Sequence, residues 1–177
     1  VTYDSDYWKD RVATQPTLDK NDPNILGITI ENNDKNVKGA IPQIKASIFY
    51  IAGSIELGGN ITGINPLKES RLFNFKDYVI KGSPEDLKNT ENGILIGSGV
   101  AKKMSLSVGD RVQISTIKGN IFPLKIVGIY QSGIADLDAI QSFTNIKTAQ
   151  TILGETKNYI TDINLKLYNI DSALPFA

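Results

Sequence analysis

The run Gly93-Ile94-Leu95-Ile96-Gly97-Ser98-Gly99-Val100-Ala101-Lys102-Lys103-Met104-Ser105-Leu106 opens the most readable part of this chain. Ile94-Leu95-Ile96 is short, wholly apolar and flanked by glycine, which predicts a buried strand. Ser98 is a candidate N-cap for a helix over Val100–Leu106, with Val100 and Met104 four apart on one face. Val108-Gly109-Asp110 turns the chain. Val112 and Ile114 then alternate with Arg111, Gln113 and Ser115, the pattern of a half-buried strand. Lys118-Gly119-Asn120 is a hairpin turn, and Ile121 to Tyr130 a long return strand. Pro123 lacks a donor for the ladder, so that strand should start at an edge or a bulge. Asn145 caps a helix over Ile146–Leu153 with a stripe of Ile146, Ala149, Ile152 and Leu153, and Gly154 ends it. Ile163, Leu165 and Leu167 alternate with Asp162, Asn164 and Lys166 in a last strand. The order is strand, short helix, hairpin, helix, strand.

Upstream the signals are weaker. Tyr3, Tyr7 and Trp8 cluster among charges, as aromatics do at a membrane interface or at the edge of a core. Gln15 to Asn24, with two prolines, reads as a turn-rich linker. Ile25–Ile30 is apolar and β-branched, a strand signal. Asn32-Asn33-Asp34 can cap a short helix with Val37 and Ile41 on one face. Pro42 opens a clearer strand, with Ile44, Ala46, Ile48 and Tyr50 pointing one way. Gly58-Gly59-Asn60 predicts a hairpin turn between Ile55–Leu57 and Ile61–Ile64. Asn65-Pro66 stops that strand, and Ser83 caps a turn through Leu87.

Composition excludes several classes of function. Nineteen basic and nineteen acidic residues cancel, and Lys and Arg are scattered, so nothing pulls the chain toward nucleic acid. There is no Cys and no His, which removes the thiol nucleophile, the imidazole base and nearly all zinc chemistry. Apolar residues make up 41% of the chain, enough for a packed core. No apolar run approaches the roughly 18–20 residues of a spanning helix. Val1 begins abruptly, and Asp171-Ser172-Ala173 reads as a helix start with no helix after it, which predicts a piece of a longer protein.

Three patterns invite chemistry. Gly97-Ser98-Gly99 between a strand and a helix has the setting of a dinucleotide fingerprint, but Lys102 replaces the third glycine and the ribose-binding acid is missing. It reads as a tight strand-to-helix turn. Gly58 to Gly63 has P-loop spacing, with Ile64-Asn65 where Lys-Ser/Thr is required, so it is rejected. Asp136 and Asp138 are two apart, as paired carboxylates for a metal or for proton transfer would be. The further oxygen ligands of a calcium loop are absent, and the pair reads as a solvated loop. Asn60-Ile61-Thr62 matches a glycosylation sequon by chance pattern. No catalytic, cofactor-binding or metal-binding residue is assigned. From the residues alone, the chain is a non-enzymatic α+β module.

The words Leu106-Ser107-Val108-Gly109-Asp110-Arg111-Val112, Val127-Gly128-Ile129-Tyr130-Gln131-Ser132-Gly133, Asp138, and Ala149-Gln150 before Ile163–Leu167 stand in a fixed order. Thr62-Gly63-Ile64-Asn65-Pro66 with Glu69 extends them backwards. In that order they resemble the extracytoplasmic domain of MacB-like ABC-transporter permeases, a domain shared by the lipoprotein-releasing permeases of the LolC and LolE type. The resemblance implies two lobes. A porter-like α/β lobe would be built from both chain ends, about residues 1–70 plus 160–177. A β-rich lobe with short helices, about 71–159, would be inserted between them. It implies a plasma (inner) membrane protein with this domain on the periplasmic side, between two spanning helices, and makes Asp138 a structural loop residue. ATP would be hydrolysed by a separate cytoplasmic ABC subunit, and this domain would couple the stroke to lipoprotein release or MacB-type export. A second permease copy or paralogue, a lipoprotein and a periplasmic adaptor are the implied partners. Lys118, Gly119 and Asn120 are the candidate partner-contact residues. In members that capture a soluble carrier this hairpin is extended. Here it is short, and such a turn cannot by itself bury the roughly 800 Å² per partner of a standard interface. The alternative reading is a freestanding extracellular interaction module.

Overall fold

A computed structural model describes residues 36–168 and the backbone of residues 2–4. The expectations for Tyr7, Trp8, Ile25–Ile30 and Asp171 fall outside the described residues. The chain divides into two compact units, Val1–Gln43 with Thr156–Ala177, and Ile44–Glu155. The expected boundaries near residues 70 and 160 differ from these. The division falls inside one long strand, β2 (Val37–Ala52), and just after the helix that ends at Leu153.

Among the described residues, the first unit holds a three-stranded antiparallel sheet whose strands are not consecutive in the chain. β9 (Asp162–Leu167) lies between β1 (Thr2–Asp4) and the opening of β2, with Pro42 opposite Ile163 and Ala40 opposite Leu165. Ile163 and Leu165 are almost fully buried and alternate with half-buried or exposed Asp162, Asn164 and Lys166, so the period-two pattern set the face as expected. The helix expected around Val37 and Ile41 is instead strand. The four-residue spacing of two apolar side chains fits a helix in isolation, but pairing with β9 satisfies this backbone and overrides it. Pro42 is tolerated inside the strand for a geometric reason. Gln43 accepts from the Thr161 N–H, so its polar groups face β9, and those of Pro42 face the other edge. Pairing on that edge begins only at Ile44.

The second unit is a closed six-stranded barrel. β2 pairs with β3 (Ile55–Ile64), β3 with β8 (Gln141–Asn145), β8 with β5 (Gly93–Gly97), and β5 with β7 (Ile121–Tyr130). β6 (Arg111–Ser115) then pairs with both β7 and β2 and closes the ring. β3–β8 and β5–β7 are parallel, and the remaining pairs antiparallel. β4 (Val79–Gly82) takes the end of β7 that β6 leaves free. The interior is filled by alternate residues of each strand, among them Ile48 and Tyr50, Ile94 and Ile96, Val112 and Ile114, Leu124 and Ile126. Val100 and Met104 of α3 (Ser98–Met104) and Ile152 of α5 (Ile146–Leu153) join the same cluster. Outside β5 and β7, Leu95 and Val127 meet Leu87 of α2 (Pro84–Asn89), Ile64 and Phe75. Phe75, Tyr130 and Phe143 stack there with ring centres 4.8–5.7 Å apart. The remaining helices are α1 (Pro66–Phe73), capped by Asn65, a 3₁₀ turn over Phe75–Tyr78, and α4 (Ala135–Asp138). Ser83 and Asn145 cap α2 and α5 as expected. Ser98 does not cap α3; the cap is Gly97, and Ser98 is the first helical residue.

Two departures have physical causes. The hairpin expected at Gly58-Gly59-Asn60 lies instead at Gly53-Ser54, with Ala52 opposite Ile55 and Gly53 at φ +60°. Gly58 and Gly59 are mid-strand. Gly59 supplies space: a Cβ there would sit 2.3 Å from the Tyr50 ring and 2.5 Å from the Ile140 carbonyl oxygen. β8 was not expected at all, because Gln141-Ser142-Phe143-Thr144-Asn145 has a single large apolar residue. Its inward residues, Ser142 and Thr144, are fully buried, and their hydroxyls donate to the carbonyls of Asn60 (3.1 Å) and Gly93 (2.7 Å).

The Tyr50 hydroxyl spans the same seam, within hydrogen-bond distance of the carbonyls of Asn60 (3.2 Å) and Ile140 (2.9 Å). Burial pushes its pKa well above the ordinary 10.0, only partly offset by the hydrogen bond with Ser142. Burial also raises Tyr130, helped by the charge of Asp138 and by Tyr78.

Two outcomes follow from this packing. Ile163→Asp or Leu165→Asp places an unpaired charge on a buried face at a cost of several kcal/mol, and a large fall in thermal midpoint is expected; an unchanged midpoint would mean the face is wrong. A phenol whose folded pKa is raised contributes stability that is fully present below the unfolded value of about 10 and is lost as pH rises above it. The thermal midpoint should therefore fall from about pH 10 upward. Tyr50→Phe should lower the midpoint at pH 7 and flatten the alkaline slope, as read by circular dichroism.

Candidate partner-contact site

The hairpin joining β6 to β7 is fixed by its own backbone. The Gly119 N–H donates to the Thr116 carbonyl at 2.8 Å, and the Thr116 N–H to that of Asn120 at 3.4 Å. Gly119 has φ +79°, which a side chain would strain. The three residues expected to meet a partner do different things. Gly119 and Asn120 form the turn. Lys118 folds back: its Nζ donates to the Leu153 carbonyl at 3.0 Å and lies 3.6 Å from the Glu155 carboxylate. A helix leaves its last carbonyls unpaired and its C-terminus partly negative, so this lysine braces the end of α5.

The side chain that projects from the tip is Ile117, 86% exposed, with Ile121 55% exposed beside it. Sequence reasoning passed over Ile117, which lies in the turn just beyond β6, where the strand's alternation no longer sets the face. Phe49, Ser115 and Ile121 lie side by side across β2, β6 and β7, giving the outer face of the barrel a partly apolar row.

At the opposite end of β7 the chain forms a loop over Gln131–Ile134, held by Asp138. One carboxyl oxygen accepts from the Ser132 N–H (2.7 Å) and hydroxyl (2.8 Å), and the other from the Gly133 N–H (3.3 Å). Asp138 is buried while Asp136 is exposed, so the expected solvated pair is a correction. α4 separates their surroundings, and Asp138 closes the loop on itself. This agrees with the structural loop role that the resemblance implied.

The glycines of the strand-to-helix turn also serve packing. A Cβ on Gly97 would lie 2.2 Å from the Asp138 carbonyl oxygen, and one on Gly99 2.7 Å from the Ala139 Cα. The space a pyrophosphate would need is filled by the chain's own backbone. A shallow cavity of about 330 Å³ beside it is lined by Ser98, Gly99, Lys102, Gln131, Gly133, Ala135 and Asp138. Among the described residues no three Asp or Glu side chains converge as metal ligands, and no helix is long and apolar enough to cross a membrane.

A family model described as the MacB-like periplasmic core domain matches residues 4–173. The lipoprotein-releasing system transmembrane protein LolC of Neisseria meningitidis serogroup B is 28% identical over 160 residues, covering 85% of this chain and 38% of that protein. LolC of Buchnera aphidicola subsp. Schizaphis graminum is 33% identical over 119 residues, covering 62% of this chain and 29% of that protein. The chain thus spans well under half the length of these curated relatives. Among solved structures, the extracellular domain of the noncanonic ABC-type transporter YknZ from Gram-positive bacteria aligns with a TM-score of 0.59 at 16% identity, over 81% of this chain and 72% of that one. The periplasmic region of MacB from Actinobacillus actinomycetemcomitans aligns with a TM-score of 0.57 at 13% identity, over 85% and 70%. At such identities the structural likeness carries the fold, a strand-dominated mixture of α and β.

Asp138→Ala removes three acceptor contacts and leaves the Ser132 and Gly133 donors unpaired. A loss of about 2–3 kcal/mol is expected, read as a lowered denaturation midpoint with faster amide exchange at Ser132 and Gly133. Unchanged exchange there would show that another group holds the loop.

Proposed function

The chain belongs to the MacB-like periplasmic core domain family, and we propose that it is the non-catalytic extracytoplasmic domain of an ABC-transporter permease. The family match over residues 4–173 carries this reading. In it, a separate cytoplasmic subunit hydrolyses ATP, spanning helices that flank this domain transmit the stroke, and the domain couples it to cargo. The LolC relatives favour lipoprotein release, and the MacB likeness makes export the neighbouring outcome. The domain sits on the periplasmic side of the inner membrane, next to a second permease copy or paralogue.

In this reading the two chain ends, about residues 1–70 plus 160–177, form the porter-like lobe, and about 71–159 form the inserted lobe. The hairpin tip Lys118-Gly119-Asn120 takes part in partner contact as one element of a wider face. With Lys118 turned onto α5 and few side chains presented, it does not capture a soluble carrier on its own.

The test is ATP-driven lipoprotein release from proteoliposomes holding the full-length permease and its ATPase. Deleting residues 44–155 should abolish release and leave basal ATP hydrolysis standing. Calorimetry of the isolated chain with ATP-Mg should show no micromolar binding. Undiminished release by the deletion protein, or tight nucleotide binding by the chain, would overturn the reading.

A further inference from the structure

We propose that the outer edge of β3, Ile55–Gly59, pairs antiparallel with the same edge of a second copy of this chain, Leu57 facing Leu57. β2 pairs with β3 along nearly its whole length, whereas β8 covers only Asn60–Ile64. The Asn60 N–H donates to the Ile140 carbonyl at 2.8 Å and so points away from β2. Alternation along a strand puts the N–H and C=O of Gly58 and Glu56 on that same edge. Both residues are exposed, and among the described residues no strand pairs there. The chain that would cover them turns off at Ile140 into α4.

Exposed edges are commonly blunted by proline, by charged side chains, lysine above all, or by a bulge. Ile55-Glu56-Leu57-Gly58-Gly59 has no proline, lysine or bulge, its one charge is Glu56, and its register with β2 is unbroken. Ile55 is 45% exposed, and Phe49, directly across from Gly58, 41%. A Cβ on Gly58 would meet only the Phe49 ring, at 3.9 Å, so the sheet face over Gly58 has room for a larger side chain.

Only an extended backbone satisfies such a row of donors and acceptors, and this row complements itself. With a two-fold axis at Leu57, Glu56 stands opposite Gly58 of the second copy and Gly58 opposite its Glu56. Each pair exchanges two hydrogen bonds, and each carboxylate faces a glycine instead of its twin. The pairing is isologous, so it closes with two copies and leaves no further edge at this place. Five residues bury far less than the roughly 800 Å² per partner of a stable interface, so the contact depends on the high effective concentration of neighbouring domains. On that point alone it rests on the permease reading.

The chain contains no cysteine, so a single introduced thiol reports the contact. Residues facing each other outside the hydrogen-bonded pairs have Cα atoms about 4.5 Å apart, within disulfide reach. Leu57→Cys in the 177-residue chain, concentrated and oxidised with copper-phenanthroline, should form a covalent dimer at least about tenfold faster than Glu85→Cys on exposed α2. Adding Gly58→Glu sets carboxylate against carboxylate and should slow cross-linking to the control rate. Adding Glu56→Lys to that variant should restore it, which also shows that the variant is folded. Cross-linking of Leu57→Cys no faster than the control, or indifferent to Gly58→Glu, overturns the pairing and leaves the permease reading untouched. Conversely, fast cross-linking together with unimpaired release by the deletion protein would overturn that reading alone.

Discussion

β6 is five residues long, and the second unit closes because those residues pair on both edges, with β2 at Phe49–Ile51 and with β7 at Ile121–Lys125. Closure is what lets an interior so apolar stay dry. Val112 and Ile114 have no exposure, and they share the interior cluster with Ile48, Tyr50, Leu124 and Ile126 of the neighbouring strands β2 and β7. An open sheet of the same residues would leave two edges and one apolar face to water. Both helices that reach the interior cluster depend on this as well. Val100, Met104 and Ile152 are buried because the ring gives them something to cover.

The polar groups at the β3–β8 seam complete that closure. Tyr50, Ser142 and Thr144 are all buried, and each hydroxyl reaches a backbone carbonyl. Burying a hydroxyl without a partner costs more than a made hydrogen bond returns, so the seam holds one register rather than several. Gly59 belongs to the same device, since only a residue without Cβ leaves room for the Tyr50 ring beside the Ile140 carbonyl.

Asp138 ties down one end of the barrel and Lys118 braces the other against α5. What remains outward is a hairpin tip led by Ile117, a partly apolar face through Phe49 and Ile121, and the open edge of β3.

The sequence by itself determined the parts governed by local rules. The alternation at Val112–Ile114 and Ile163–Leu167, the caps at Ser83 and Asn145, the turn at Lys118-Gly119-Asn120 and the stop at Gly154 all depend on neighbours within a few residues. The ordered words from Leu106 to Leu167 sufficed for the family. Where a residue answers to a distant partner, the sequence was silent or misleading. Val37–Ile41 is strand because β9 pairs with it. Gly58 and Gly59 lie mid-strand because the turn formed at Gly53 and because Tyr50 and Ile140 crowd Gly59. β8, poor in apolar residues, is a strand because Asn60 and Gly93 offer its hydroxyls their carbonyls. Lys118 turns toward the end of α5 because Leu153, 35 residues away in sequence, offers it a carbonyl. Only the tertiary structure decides such cases, since a hydrogen-bonding group or a missing Cβ has no sign in the sequence until its partner's position is known.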